Sequence, residues 1–299
     1  MKAVTLGTRG SPLALAQTEI VRALLQKAHP SLQFEMKIIK TSGDQFHNLS
    51  LTAGGGKGLF TKEIEDQLLR GEIHIAVHSM KDLPTMLPDG LTIGAVPARE
   101  DARDVFLSKR VTALDELSNG AHVATSSIRR RAQLLAHRRD LQIEEIRGNV
   151  GTRLQKLVEN DALDALILAA AGLKRLGLWQ ANKRLHWRAL DFDVMIPAVG
   201  QGIIACEVCE ADLETQELLA AINDTATLAC AEAERSFLRT LGGGCQVPYA
   251  AHATVDSERL RLVGAKFSPD GKDVRRADAV GSLVSACDVG RRAAEQIRG

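Results

Sequence analysis

Two residues of this 299-residue chain have the type and setting for covalent and charge-stabilising chemistry, Cys245 and Asp82. Cys245 stands in Gly-Gly-Gly-Cys-Gln-Val-Pro, after a helical pattern, so its thiol falls on a turn beyond a helix end. An accessible thiolate is a strong nucleophile, and a glycine-bounded turn lets an attached group move. A structural turn with an incidental cysteine would read the same way. Asp82 lies in Ser79-Met80-Lys81-Asp82-Leu83-Pro84, directly after the apolar run that ends at His78. That is the strand edge where open α/β sheets bind ligands, which makes Asp82 a candidate active-site carboxylate. No second carboxylate of the glycosidase kind stands beside it, and a lone Asp next to a Lys also suits a structural ion pair.

Basic residues gather where strands hand over to helices. In Ala124-Thr125-Ser126-Ser127-Ile128-Arg129-Arg130-Arg131 the hydroxyl residues precede a helix whose free amides and positive dipole end favour an anion. Arg129 and Arg130 can add bidentate contacts to a carboxylate or phosphate. The device recurs in Arg147-Gly148-Asn149-Val150-Gly151-Thr152-Arg153 and in Thr8-Arg9-Gly10-Ser11, and Arg175 follows in Gly-Leu-Lys-Arg-Leu-Gly. One such cluster is as readily a solvated, capped helix face. Recurrence at equivalent crossovers points to a ligand with several carboxylates.

The elements that must hold these residues alternate. A strand at residues 3 to 6 leads to a helix that Ser11-Pro12 starts, then come a strand near Phe34 to Ile39, a helix from Thr61 to Arg70 and a strand from Ile73 to Val77. This order predicts a parallel α/β sheet. The series restarts after Pro97, with strands at Val105 to Leu107, Ala121 to Ala124, Leu141 to Ile146 and Leu163 to Leu168 and helices from Ser127 and Thr152. Ile196 to Gly202 reads as a linker, and Ile203 to Val208 as a strand able to rejoin the first sheet, so two crossings would form a hinge. Helices at Asp212 to Ile222 and Thr225 to Leu241, three short strands between Tyr249 and Val280 and a last helix from about Ser282 complete an α+β region. The expected domains are 1–97 with 200–220, 103–196, and 223–299, the last carrying Cys245. Ser42 to Gly58, polar and glycine-rich, is a candidate lid or a plain disordered loop.

Composition narrows the function classes. A net charge of +1 gives no global basic field, and 3% aromatic residues leave few stacking platforms, which together argue against nucleic acid as a partner. No apolar run reaches membrane length, and the arginine at position 9 interrupts where a secretory signal needs its apolar centre, so a cytoplasmic protein is expected. Five cysteines do not make a secreted disulfide framework. Cys206 and Cys209 fall on opposite faces of a predicted strand, so neither zinc nor a redox pair is expected, and Cys230 and Cys287 read as packing. His78 reads as buried structure, and no metal site is expected. Gly54-Gly55-Gly56-Lys57-Gly58 lacks the Gly-Lys-Ser/Thr ending of a phosphate loop.

Taken in order, Thr8-Arg9-Gly10-Ser11-Pro12-Leu13-Ala14-Leu15, Gly-Gly-Lys-Gly-Leu-Phe, His-Ser-Met-Lys-Asp, Thr-Ser-Ser-Ile-Arg-Arg, Arg-Gly-Asn-Val-Gly-Thr-Arg-Leu, Ala-Gly-Leu-Lys-Arg-Leu-Gly, Pro-Ala-Val-Gly-Gln-Gly and the Cys245 turn resemble the porphobilinogen deaminase, or hydroxymethylbilane synthase, family. The resemblance thins after Val247 and is silent from Trp179 to Val194, and Gly10 stands where other members can carry a bulkier polar residue. It implies a transferase of heme and porphyrin biosynthesis with two hinged α/β domains and a smaller C-terminal domain. It implies a dipyrromethane cofactor joined by a thioether to Cys245, extended by four porphobilinogen units and released by water as hydroxymethylbilane. On that pattern Ser79, Lys81, Asp82, Thr125, Ser126, Ser127, Arg129 and Arg130 bind the cofactor, and Asp82 is catalytic. Arg9, Ser11, Arg147, Arg153 and Arg175 match positions for substrate and chain carboxylates. The expected form is a monomer that hands its product to the next enzyme of the pathway. Two other readings remain: a two-domain anion-binding protein or sensor, which would not need Cys245, and a cysteine hydrolase, which would need His78 or His252 as base.

Overall fold

The computed structural model describes residues 3–42, 61–243 and 247–298. The chain divides into two compact units, Met1–Arg99 with Ile203–Leu228, and Glu100–Gly202 with Ala229–Gly299.

In the first unit the opening apolar run forms strand β1 (Ala3–Thr8), helix α1 (Pro12–Ala28) follows it, and β2 (Gln33–Ile38) returns parallel to β1. Ser11 caps α1 by accepting from the Ala14 amide at 3.3 Å, and Pro12 fills the first turn where its missing N–H costs nothing. Helix α2 (Lys62–Leu69) leads into β3 (Ile75–Ser79), which pairs parallel with β1, and β4 (Leu91–Ala95) closes the run. The strand that returns to this unit, β10 (Ile204–Cys209), lies antiparallel between β3 and β4, so the sheet order is β2-β1-β3-β10-β4. The sheet is parallel-rich, as the alternation of elements predicted, with β10 as an antiparallel member between β3 and β4. The helices α6 (Leu213–Ala220) and α1 cover one face, packing Leu219 of α6 and Val21 and Leu25 of α1 with Val4, Leu6, Ile75, Val77 and Cys206. Burial of each such aliphatic side chain contributes about 1.5–3 kcal/mol. Cys209 packs with the cluster on the α2 side instead, so the two cysteines of β10 do point to opposite faces.

The second unit repeats the arrangement. Its strands β5 (Asp104–Ser108), β6 (His122–Ala124), β7 (Gln142–Glu144), β8 (Ala165–Ala169) and β9 (His186–Ala189) follow the order β7-β6-β8-β5-β9. β5 is the antiparallel member here, pairing with both β8 and β9. The helices α3 (Ile128–His137), α4 (Val150–Glu159) and α5 (Ala170–Arg175) follow β6, β7 and β8. Both β4 and β9 escaped the sequence reading, because each is short and lacks a long branched run.

The rest of this unit comprises α7 (Thr225–Thr240) from Ala229 onward, an antiparallel sheet β11 (Tyr249–Asp256), β12 (Arg259–Phe267) and β13 (Val274–Ser282), and α8 (Ala286–Glu295). Its core is built from alanines and a few larger groups around Phe237, Leu260, Leu262 and Val289. Glycine makes this close packing possible: a Cβ on Gly290 of α8 would stand 2.0 Å from the Ala233 carbonyl oxygen of α7. Of the outlying cysteines, Cys230 is buried in this core, as expected, while Cys287 is exposed and not a packing residue.

Candidate functional site

In the first unit, two loops at the C-terminal ends of adjacent parallel strands carry the expected site residues. Arg9 and Ser11 follow β1, and Lys81 and Asp82 follow β3 in a single 3-10 turn (Met80–Asp82). The second loop is held from three sides. Ser79 and the buried Gln17 of α1 exchange hydrogen bonds at 2.9 and 3.0 Å, the Met80 amide donates to the Ile203 carbonyl at 3.0 Å, and the Leu83 amide closes the turn on Met80 at 3.1 Å. The result is an exposed Asp82 carboxylate on a fixed turn, the arrangement that lets a charge act without first reorganising. The Ser79 hydroxyl is committed to Gln17, a partner that the sequence reading did not name.

His78 precedes this turn and is buried. Its Nε2 lies 3.2 Å from Oε2 of Glu207, itself fully buried on β10. Buried Glu65 of α2 belongs to the same charged group, since burial first, and then the charge of Glu207, raise its pKa. His252, the other imidazole considered as a base, stacks on Phe192 with centroids 4.1 Å apart and lies 3.7 Å from buried Glu234.

In the second unit the Thr125-Ser126-Ser127 stretch forms the expected cap. Thr125 is buried and its hydroxyl accepts from the Ser127 amide at 3.2 Å, Ser127 accepts from the Arg130 amide at 3.4 Å, and the Ser126 hydroxyl bridges the Ile146 peptide. Thr125 and Ser127 thus serve the β6–α3 junction, and Ser126 ties it to the segment between β7 and α4. Arg129 and Arg130 occupy the first turn of α3 and are buried, 5% and 7% exposed, which a solvated basic face would not be. Both meet Asp104, at 2.8 Å from Arg129 Nη2 and 2.7 Å from Arg130 Nη2. Burial pushes the Asp104 carboxyl up, but the two guanidiniums outweigh it and hold the pKa at about 2. Gln201 of the Ala-Val-Gly-Gln-Gly segment adds a third donor to Asp104 at 3.0 Å.

The remaining arginines differ in environment. Arg153 is half-buried and donates Nε to the Gly148 carbonyl at 2.8 Å, and burial lowers its pKa. Arg175, also half-buried, donates to the Gly202 carbonyl at 2.7 Å, and burial lowers its pKa to about 10. Gly202 has φ +88, and a Cβ there would stand 2.3 Å from the Glu100 carbonyl oxygen, so only glycine serves at this crossing. Arg147 is exposed and paired with Glu145 at 2.9 Å.

Asp104, Gln201 and Gln17 escaped the sequence reading. Asp104 carried a usable signal, because it opens the apolar run Asp-Val-Phe-Leu, and a buried acid at the start of such a strand requires a cationic partner. Cys245 and all but Ser42 of the Ser42 to Gly58 segment lie outside the described residues. Among the described residues no group of three His, Cys, Asp or Glu side chains could hold a metal ion, and no helix is long and apolar enough to cross a membrane.

The donor set suits a polycarboxylate. Arg129 Nε is buried without a hydrogen-bond partner, Arg153 donates to a backbone carbonyl, which leaves its charge uncompensated, and Arg175 donates to another with only the charge of Glu100 acting to offset its burial. Residues 4–217 match the family model described as the porphobilinogen deaminase dipyromethane cofactor binding domain, and residues 228–299 match the model of its C-terminal domain. The chain is 48% identical to the porphobilinogen deaminase of Macrococcus caseolyticus over 91% of its length and 88% of that protein's. It is 49% identical to the porphobilinogen deaminase of Geobacillus kaustophilus, covering 98% of this chain and 93% of the relative. A solved structure, the second substrate binding domain of a Streptococcus pneumoniae amino acid ABC transporter, covers 74% of this chain and 92% of its own at 12% identity, with a TM-score of 0.47. With both family models matched in order and near half of the residues shared with such relatives, the chain belongs to the porphobilinogen deaminase family.

Proposed function

We propose that this chain deaminates four molecules of porphobilinogen, losing one ammonia from each, and joins them head to tail on a dipyrromethane primer held by Cys245, after which water cleaves the chain from the primer as hydroxymethylbilane. The observation that carries the reading is the surplus of buried arginine charge in the second unit, which suits the acetate and propionate groups of a pyrrole chain. A thioether to Cys245 would keep the primer on the protein, and when bound the primer supplies the pyrrole carbon that begins the chain.

The residues then divide the work. Asp82, on its fixed turn, accepts the pyrrole N–H of porphobilinogen and stabilises the cationic methylene-pyrrole that forms as the aminomethyl nitrogen takes a proton and leaves as ammonia. The same carboxylate is placed to pass on the proton lost when the new carbon–carbon bond forms. Arg129, Arg130, Lys81 and the hydroxyls of Ser79, Thr125, Ser126 and Ser127 form the primer's surroundings. Ser79 acts through Gln17, Ser127 through the helix start that it caps, Thr125 through the Ser127 amide, and Ser126 through the Ile146 peptide. Arg9, Ser11, Arg147, Arg153 and Arg175 take substrate and chain carboxylates. The three-stranded sheet with its own core serves as a third domain, and Cys245 falls between α7 and β11 in the sequence of that domain. The enzyme works as a cytoplasmic, monomeric transferase and hands its product to the next enzyme.

Incubation of the purified protein with porphobilinogen tests the reading. Four ammonia per tetrapyrrole are expected, and neither ammonia nor a pyrrole product would form on a protein that only binds anions.

A further inference from the structure

Asp104 does more than neutralise a neighbour. It opens β5 with no exposed surface, its Oδ1 accepts from Arg130 Nε at 3.0 Å, Arg130 Nη2 at 2.7 Å and Gln201 Nε2 at 3.0 Å, and its Oδ2 forms an ion pair with Arg129 Nη2 at 2.8 Å. The other ends of both guanidiniums are tied to backbone carbonyls, Arg130 Nη1 to Ile167 at 3.0 Å and Arg129 Nη1 to Ile196 at 2.6 Å. The Ile196 peptide is itself gripped by Gln133, which donates to its carbonyl at 2.9 Å and accepts from its amide at 2.8 Å. Neither guanidinium is left a second position. The charges do not cancel, since two arginines face one carboxylate in the first turn of α3, where the helix dipole adds further positive potential. A buried cation there is costly unless an anion joins it. The buried Arg129 Nε, without a hydrogen-bond partner, is a donor that such an anion would satisfy.

We propose that Asp104 is a positioning residue that fixes both guanidiniums and cancels one of their two charges, leaving a single positive charge matched to one carboxylate of the pyrrole primer. The assignment rests on the proposed function. It separates Asp104 from a structural ion pair, because it sets how much negative charge the site accepts.

The test is Asp104→Asn in the full chain, read by intact mass for the fraction carrying the two-pyrrole adduct and by steady-state kinetics with porphobilinogen. We expect a reduced adduct fraction and a kcat lower by on the order of 100-fold, the scale of a misplaced binding group, with KM nearly unchanged. With two uncancelled charges, the melting temperature of the variant should rise more steeply with inorganic sulfate than that of the wild type. A folded variant with wild-type adduct fraction, kcat and sulfate response would overturn the proposal. If Asp104→Asn does not fold, Asp104→Asn with Arg130→Met restores a single positive charge. That double variant should fold and carry adduct, and a folded double variant without adduct would refute the charge match. Wild-type protein without adduct would instead defeat the function on which the proposal rests.

Discussion

Each α/β unit buries a charged group on its antiparallel strand, and the two groups have opposite surpluses. On β5, Asp104 faces Arg129 and Arg130, two cations against one anion. On β10, Glu207 faces His78 across the strand pair, with Glu65 added from α2, so two carboxylates share one imidazole. The positions differ as well. Asp104 stands at the strand end that pairs with Ala169, the C-terminal edge of β8, whereas Glu207 pairs with Ala76 within β3. A surplus cation at a ligand-binding edge can be balanced by an incoming anion. A surplus anion away from such an edge has only a proton to balance it, and Glu65 titrates above the ordinary carboxylate range, first because it is buried and then because Glu207 lies near it. One cluster is thus suited to binding, the other to holding a proton.

The contrast can be broken most forcefully at Asp104. Asp104→Ala leaves two buried guanidiniums facing each other and should lower stability by about 3–5 kcal/mol, measured by urea unfolding. A loss below 1 kcal/mol would mean that the pair is solvated and the surplus imaginary. Next comes Asp82→Ala, where the exposed carboxylate contributes nothing to packing. Its kcat should fall by roughly 10²–10³-fold while the circular dichroism spectrum and melting temperature stay in place. Near-normal turnover would move the catalytic role to another residue.

The two clusters should also separate with pH. Asp104 has a folded pKa of about 2, below its ordinary value of 3.8, so its contribution is present above 3.8 and is lost as pH falls through 2. Glu65 has a folded pKa above its ordinary value of 4.5, so its protonated form favours folding and that contribution is lost as pH rises through the folded value. Glu65→Gln should therefore be more stable than wild type at pH 8, with the gap closing toward pH 4. An equal effect at both pH values would show that Glu65 is not the group that holds the proton. The smallest effect belongs to Arg147, exposed and paired with Glu145. Arg147→Ala should change stability by about 0–1 kcal/mol, so a raised KM for porphobilinogen would be a binding effect rather than an unfolding one.

How far the sequence could be read depended on whether a feature was local. Helix starts carry their own chemistry, and Ser11 and Ser127 cap α1 and α3 through contacts three residues away, while α4 starts at Val150 behind an Asn149 cap, two residues before the expected Thr152. The cysteines of β10 were legible for the same reason, since strand alternation alone sends Cys206 and Cys209 to opposite faces. Pairing direction is not local, and the antiparallel insertion of β5 and β10 depends on strands distant in the chain. The site was legible in kind and incomplete in detail. Arg129 and Arg130 announced an anion, but Asp104, which reaches Arg130 across 26 positions, and Gln17, which reaches Ser79 across 62, supply the support that makes those residues rigid. Nothing in the spacing of a basic cluster distinguishes an arginine held in solvent from one clamped in a core.

The central claim, that Cys245 carries the primer on which the chain is built, is tested most directly by the intact mass of the purified protein. The account predicts the sequence mass plus a two-pyrrole adduct that maps to Cys245 and disappears in Cys245→Ala. An active protein at its unmodified sequence mass, or an adduct that persists in Cys245→Ala, would contradict it.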